Sequence, residues 1–326
     1  MRRRSMAVLA AVPLMFAAAC GSGGDAATST TGATGATGAS GSASSGGVSE
    51  LQVTGAAGAK PTVAFPSKVV ETSSFKVLTP GTSGETPKTG ASVVANFTVF
   101  TWDGKENKLA GSTYDEGGPQ VITLNEQVPE ILRKGFAETK GGGRFMSVVA
   151  KDALPKEQQA QAPPGQSQVF VVDVVGVPAE KVAKGDATDP GLKGVKVENP
   201  GGEAAPKLTT KTKEKAPKEL VVKTVIKGTG PKVTSGQSIL VQYAGKIWGS
   251  DVEFDSSWSR GAQPIMFQIG TGKVIKGWDQ GLVGVPVGSR VLLSIPPDLG
   301  YGKAGSGEKI KGTDTLVFLV DVVAAY

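Results

Sequence analysis

The sequence predicts an α+β fold built from two copies of one module, in each of which an antiparallel sheet buries a face against one short helix. Three observations carry that expectation. The chain has 326 residues, a length that usually makes two domains plus extensions. Its 46 glycines and 20 prolines predict many turns and little long helix. It also matches itself at an offset of about 146 residues. Gly84 falls on Gly230, Gly90 on Gly236, Phe97 on Tyr243, Gly135 on Gly281, Gly142 on Gly288 and Arg144 on Arg290. After a slip of two residues, Phe170 meets Phe318 and Asp173 meets Asp321.

The elements follow in the same order in each copy. A short apolar strand, Phe75 to Leu78 or Leu220 to Ile226, precedes a Gly-rich turn. A long alternating strand comes next, Ser92 to Thr101 or Ser238 to Trp248. A brief helical segment spans Glu130 to Thr139 or Ile275 to Leu282. Paired β-rich runs close each copy, the last being Gln168 to Val177 or Thr315 to Val323.

Composition narrows the chemistry. Histidine is absent, which removes Ser-His and Cys-His nucleophilic catalysis, imidazole general bases and His-ligated metal sites together. No cofactor and no metal site is expected. The single cysteine, Cys20, forbids an intramolecular disulfide. Its surroundings supply another role. Met1-Arg2-Arg3-Arg4 is a cationic start, Met6 to Ala19 is an apolar run too short to span a bilayer, and Ala17-Ala18-Ala19-Cys20-Gly21 ends it with small residues. This resembles a bacterial lipoprotein signal covering residues 1–19, although such signals more often carry Leu at the position of Ala17. The resemblance implies lipidation of Cys20, a multi-chain anchor of the kind stable attachment needs, and an extracytoplasmic protein held to the cell membrane. The alternative is a plain secretory peptide cleaved nearby.

From Cys20 to Gly47, every residue except Cys20 and Asp25 is Gly, Ala, Ser or Thr. Nothing there can bury apolar area, so residues 20–47 are expected to be a disordered tether reaching roughly 30 Å. The formal charge is +6, and its densest stretch, Lys207 to Lys218, has no interleaved aromatics. A solvated basic segment is the expectation there, not a nucleic-acid interface.

The second copy carries Val241-Gln242-Tyr243, Phe254-Asp255-Ser256-Ser257, Val274-Ile275-Lys276-Gly277-Trp278, Val287-Gly288-Ser289-Arg290, Pro297-Asp298-Leu299-Gly300-Tyr301-Gly302 and Thr315-Leu316-Val317-Phe318. In that order, from about Leu220 to Val323, these resemble the FKBP-type peptidyl-prolyl cis-trans isomerases. The resemblance implies two tandem FKBP-like modules, each a twisted antiparallel sheet wrapped around one short helix, with an aromatic pocket between. Carried over by position, it places Trp278 at the pocket floor beneath the prolyl ring. Tyr243, Phe254, Phe267 and Phe318 become walls, with Ile265, Val274 and Ile310 completing the binding surface. Ile275 would offer its backbone N–H to the substrate carbonyl after proline, and Tyr301 its hydroxyl to the carbonyl of the rotating bond. Asp255 would sit at the rim, hydrogen-bonded to Tyr243 and paired with Arg260. The implied partners are Xaa-Pro segments of unfolded or exported proteins and rapamycin-like macrolides. Two positions depart from the family: Ile265 stands where an aromatic wall is common, and the flap reads Ser306 and Lys309-Ile310.

Such chemistry needs no histidine. The Xaa-Pro bond rotates over a barrier of roughly 18 to 20 kcal/mol because amide resonance must be broken. No covalent bond is made or cut. Water favours the charge-separated planar ground state, so an apolar slot weakens that preference, and a Tyr hydroxyl can orient the remaining carbonyl. Removing about 4 kcal/mol accelerates rotation on the order of a thousandfold. Taken singly, Trp278, Phe254, Phe267 and Phe318 read as ordinary core aromatics, Asp255 with Arg260 as a surface ion pair, and Tyr301 as a turn residue. The ordered set is what favours a site.

The first copy lacks that set. It reads Val128-Pro129-Glu130-Ile131-Leu132 where the other has Val-Ile-Lys-Gly-Trp, so the indole is missing and the amide donor is replaced by a proline without N–H. Phe97 answers Tyr243 without a hydroxyl, and Asp152 to Gln168 is Gln-rich with Pro163-Pro164 where a Tyr-Gly is wanted. Tyr114-Asp115 is the candidate to stand for Phe254-Asp255. Residues 48–178 are therefore expected to be a degenerate module with weak or no activity, 179–205 a linker, and 206–326 the isomerase module. Pro206-Lys207-Leu208 echoes Pro61-Thr62-Val63 near the repeat offset, so part of the intervening segment is a candidate lead-in strand. The leading functional expectation is a surface-anchored prolyl isomerase assisting the folding of exported proteins at the outer face of the cytoplasmic membrane. A non-catalytic, client-binding chaperone using the same grooves is the alternative, and a structural envelope lipoprotein is the third.

Overall fold

The computed structural model describes residues 48–154, 159 and 165–326. The signal segment 1–19, Cys20, the tether 20–47 and Pro163-Pro164 lie outside the described residues. The chain forms two units, each a six-stranded antiparallel sheet with the elements that follow it in the repeat.

In the first, a 3-10 turn, Val48–Glu50, leads into β1 (Gln52–Thr54), β2 (Thr62–Ala64), β3 (Ser74–Thr79), β4 (Ser92–Trp102) and β5 (Asn107–Ser112). Then come α1 (Thr113–Glu116), β6 (Gln120–Thr123), α2 (Glu130–Ala137), β7 (Gly143–Val149) and β8 (Ser167–Gly176). The sheet order is β3-β7-β8-β4-β5, with β6 also pairing β4. The second repeats the plan with β9 (Lys196–Glu198), β10 (Lys207–Thr209), β11 (Val221–Ile226), β12 (Ser238–Ile247), β13 (Glu253–Ser256), β14 (Ile265–Gln268), α3 (Lys276–Leu282), β15 (Arg290–Ile295) and β16 (Leu316–Ala325). Its order is β11-β15-β16-β12-β13, with β14 also pairing β12. Both sheets thus have one topology, and the strands and helices match the sequence expectation to within a residue or two.

The long strand β12 explains how the sheet wraps. Ser238 to Val241 pair with β14, whereas Ala244 to Lys246 pair with β13. The register shifts between Leu240 and Val241 along β16 and between Gly245 and Lys246 along β13. Such bulges increase local twist, and the sheet curls to enclose α3. At seven residues that helix is too short to be stable alone, so packing holds it. Trp278 and Leu282 enter a core with Tyr243, Val291, Leu293, Ile295, Phe318 and Val320. Gly277 and Gly281 let the helix approach β15. A Cβ on either would lie 2.5 Å from Ile295 or Leu293, and that closeness offsets the roughly 1 kcal/mol each glycine costs a helix.

The outer face of each sheet is covered as well. The β9–β10 hairpin belongs to an apolar cluster with Val195, Leu208, Val225, Leu292, Val317 and Leu319. The stretch 179–205, expected as a linker, therefore contributes β9, Ala183 and Val195 to this packing. Beneath lies a buried ion pair in which Arg290 Nε donates to Asp321 Oδ1 at 2.6 Å and Nη2 to Oδ2 at 2.7 Å. The remaining Nη1 reaches Asn199 Oδ1 at 2.5 Å, and the Ala183 amide donates to Asp321 at 2.9 Å. In the first unit β1 and β2 form the corresponding hairpin. Arg144 binds Asp173 at 2.7 and 2.8 Å and also reaches the carbonyls of Gly55 and Ala59. These hairpins recur as part of the repeat, and each is tied to its sheet by the same charge pair.

Candidate active site

The inner, helix-facing side of the second sheet gathers the expected aromatics into one box around Trp278. Its indole is 4% exposed and meets three rings edge to face: Phe267 at 5.1 Å, Phe318 at 5.3 Å and Tyr243 at 5.4 Å between centroids. Phe254 stands on Phe318 at 5.3 Å and 80°. Edge-to-face contacts of this kind add about 0.5 to 1.5 kcal/mol beyond buried area, so the rings are held firmly. Ile265, Val274, Ile275 and Tyr301 pack partly buried against the same cluster, and Ile310 is buried within it. The indole Nε1 is buried without a hydrogen-bond partner among the described residues.

Local sequence explains each placement. Strand alternation points Val241 and Tyr243 inward from β12 and Gln242 outward. Ser257 fixes the turn after β13: its Oγ accepts from the Tyr243 amide at 2.8 Å and donates to Gln242 Oε1. Asp255 then lies beside the Tyr243 phenol, which donates to it. Arg260 completes the rim, with Nη1 on Asp255 and Nη2 donating to the phenol oxygen at 2.8 Å. Its guanidinium carbon stands 5.7 Å from the Tyr243 ring centroid.

Ile275 caps α3 with φ −62° and ψ 147°, and its carbonyl accepts from the Trp278 and Asp279 amides at 2.9 and 3.2 Å. A residue at that position keeps its own N–H out of the helical ladder. Asp279 secures the approach. Its carboxylate accepts from the Gly270 amide at 2.6 Å and the Gly272 amide at 2.7 Å, fixing the loop that delivers Val274 and Ile275. Burial raises both phenols, Tyr243 and Tyr301, above the usual tyrosine value of 10.0; for Tyr243 the neighbouring Arg260 works the other way. Both therefore remain protonated donors at neutral pH. No hydrogen bond among the described residues occupies the Tyr301 hydroxyl.

Every expected site residue of the second unit is thus found on this one wall or its rim. Sequence reasoning passed over two that shape it. Gly245 leaves room for the rings, since a Cβ there would lie 2.6 Å from Phe254 and 2.9 Å from Phe318. Asp279 falls inside the expected helical segment Ile275 to Leu282, but its role as a loop clamp was not legible there. A cavity of about 190 Å3 lies beside Phe254 and Asp255 at the rim.

The first unit arranges the corresponding positions differently. Pro129 caps α2 with φ −48° and ψ 136° and accepts from the Leu132 and Arg133 amides, so the turn survives while the donor is lost. Leu132 takes the place of the indole. Phe136 and Phe145 fill the space between helix and sheet, 5.0 Å apart at 75°, and Phe97 meets Phe136 at 6.4 Å. In β5, Gly111 pairs with Val99 as Asp255 pairs with Gly245. Tyr114 and Asp115 instead lie beyond the strand in α1, so they do not occupy the expected Phe254-Asp255 position.

Comparison with known proteins bears on residues 230–323, which match the family model described as FKBP-type peptidyl-prolyl cis-trans isomerase. The chain is similar to an FK506-binding protein of Streptomyces anulatus, 46% identical over 109 residues, covering 33% of this chain and 87% of the relative. It is also similar to a probable FK506-binding protein of Corynebacterium glutamicum, 41% identical over 110 residues, covering 34% of this chain and 90% of the relative. A peptidyl-prolyl cis-trans isomerase of Arabidopsis thaliana, FKBP15-1, is 53% identical over 89 residues, covering 27% of this chain and 57% of that protein.

Proposed function

The chain belongs to the FKBP-type peptidyl-prolyl cis-trans isomerase family and is a peptidyl-prolyl isomerase, and from that premise we propose that the second unit alone turns Xaa-Pro bonds. The supporting observation is the ring box of Tyr243, Phe254, Phe267 and Phe318 around Trp278, with the Tyr301 phenol and the Ile275 cap on the same apolar cluster. In this reading a prolyl ring enters against Trp278, the Ile275 N–H binds the carbonyl after proline, and Tyr301 donates to the carbonyl of the rotating bond. Asp255 and Arg260 hold Tyr243 in place. Rotation needs a dry slot and a few fixed donors, not a base.

The first unit, residues 48–178, is weakly active or inactive in this proposal and contributes client binding or spacing, while 206–326, together with β9, Ala183 and Val195 of the preceding stretch, forms the isomerase module. Lipid on Cys20 fixes the protein to the outer face of the cytoplasmic membrane, where it assists folding of exported proteins. Rapamycin-like macrolides compete for the slot. Intact-mass analysis of the membrane-extracted protein is expected to find lipid on Cys20; a mature chain with an unmodified Cys20 refutes the anchor.

Catalysis is tested in the full chain by protease-free peptide isomerisation and by proline-limited refolding. Trp278→Leu, which copies the first unit, is expected to lower kcat/KM about tenfold, equal to roughly 1.4 kcal/mol. Tyr301→Phe removes one hydrogen bond of about 0.5 to 1.5 kcal/mol, and so about two- to tenfold. Unchanged turnover in both variants removes the site, and improved refolding of proline-free clients favours the chaperone reading instead.

A further inference from the structure

The rim cavity beside Phe254 is bordered by two carboxylates and two cations, and three of the four are already engaged. Asp255 is held by Arg260 and by the Tyr243 hydroxyl. Arg260 spends its second terminal nitrogen on the Tyr243 oxygen. The Glu253 carboxylate accepts from Ser259 Oγ at 2.6 Å. Lys309 is different. Its Nζ donates only to the main-chain carbonyl of Glu253, at 3.3 Å, and it makes no ion pair with a carboxylate among the described residues.

The backbone fixes where that cation stands. Ser306 and Ile310 form a two-way bridge, the Ser306 amide donating to Ile310 at 2.9 Å and the Ile310 amide to Ser306 at 3.2 Å. Gly305 has φ +62°, and a Cβ on it would lie 2.2 Å from the Ile310 carbonyl oxygen. A Cβ on Gly312 would lie 2.2 Å from the Lys303 carbonyl. The flap is therefore a closed loop whose base accepts only glycine. Ile310 is buried in the core, and the preceding residue is turned outward across the cavity mouth.

We propose that Lys309 makes this cavity a subsite for an acidic side chain flanking the substrate proline, a specificity that rests on the isomerase reading of the second unit. A substrate carboxylate would exchange the weak carbonyl contact for an ion pair without displacing any engaged charge. Because the pair is exposed, its effect is a few-fold and screened by salt.

The test uses the full chain and two tetrapeptide series, with Glu, Gln or Leu placed before proline in one and after it in the other. In one of the series, kcat/KM for Glu is expected to exceed that for Gln about threefold at low salt. The ratio should fall to about one in about 0.5 M NaCl and in Lys309→Gln, and below one in Lys309→Glu, with Leu peptides unaffected throughout. Glu253→Gln, which removes the competing carboxylate of the same rim, should hold or raise the ratio. A wild-type ratio of one in both series, or a preference that survives Lys309→Gln, overturns the subsite while leaving the isomerase intact. Failure to turn over Leu peptides at all instead removes the isomerase reading, and the subsite with it.

Discussion

The two units share a scaffold and differ in what fills it. Strand order, the outer hairpin and the buried Arg–Asp pair recur in both. Even the helix cap keeps its geometry, because the φ of Ile275 is one that proline adopts without strain. The second unit keeps Gly245, Trp278 and a ring of aromatics. The first has Val99 and Leu132 where the second has Gly245 and Trp278, and Gly111 where it has Asp255, with Phe136 and Phe145 packed between helix and sheet. The lesson is that a few inward positions separate a solid core from a binding wall. The scaffold depends on alternation and on buried polar pairing, and it tolerates either filling.

The largest expected effect breaks what the units have in common. Arg144→Met and Arg290→Met each take the guanidinium away from a buried aspartate, at a cost of about 3 to 5 kcal/mol, read from urea unfolding followed by fluorescence. If only one of them costs stability, the shared scaffold is not shared in energy. Gly245→Val, which imports the residue of the first unit, should push Phe254 and Phe318 apart. It is expected to cost about 1 to 3 kcal/mol and to lower isomerase activity severalfold, whereas Val99→Gly in the first unit adds none; activity gained by Val99→Gly would mean that the first pocket is merely blocked. The smallest effect concerns pH. Both phenols titrate above 10.0, so their contribution to stability is complete below that value and is lost as pH rises through the raised folded value. With no histidine in the chain, kcat/KM should vary less than about twofold between about pH 6 and pH 9. A break near neutrality would implicate another titrating group.

Much of this was legible before any coordinates. Apolar alternation placed β4 and β12, and a brief helical segment was expected over Ile275 to Leu282, where α3 lies. The ordered motifs named the aromatic wall and the rim pair Asp255–Arg260. Tyr114 and Asp115 show the limit. They looked like a carboxylate beside an aromatic, yet pairing register gives the strand position to Gly111, and register depends on the partner strand, not on local composition. The stretch 179–205 was hidden for a related reason: its few apolar residues gain their burial from β11, β15 and β16, far along the chain.

By itself, then, the chain's order of residues determined the repeat, the strand and helix periods and the absence of imidazole chemistry, because these are properties of composition, of neighbours and of spacing, while the pocket aromatics were named through the family resemblance of the ordered motifs. Tertiary packing alone decided that Gly245 makes room for two rings, that Asp279 clamps the loop before Ile275, that the hairpins roof the sheets through Arg144 and Arg290, and that Lys309 lines the rim cavity with no ion-pair partner among the described residues. Each of those depends on atoms brought within a few ångströms by residues distant in sequence, and no local pattern encodes such a distance.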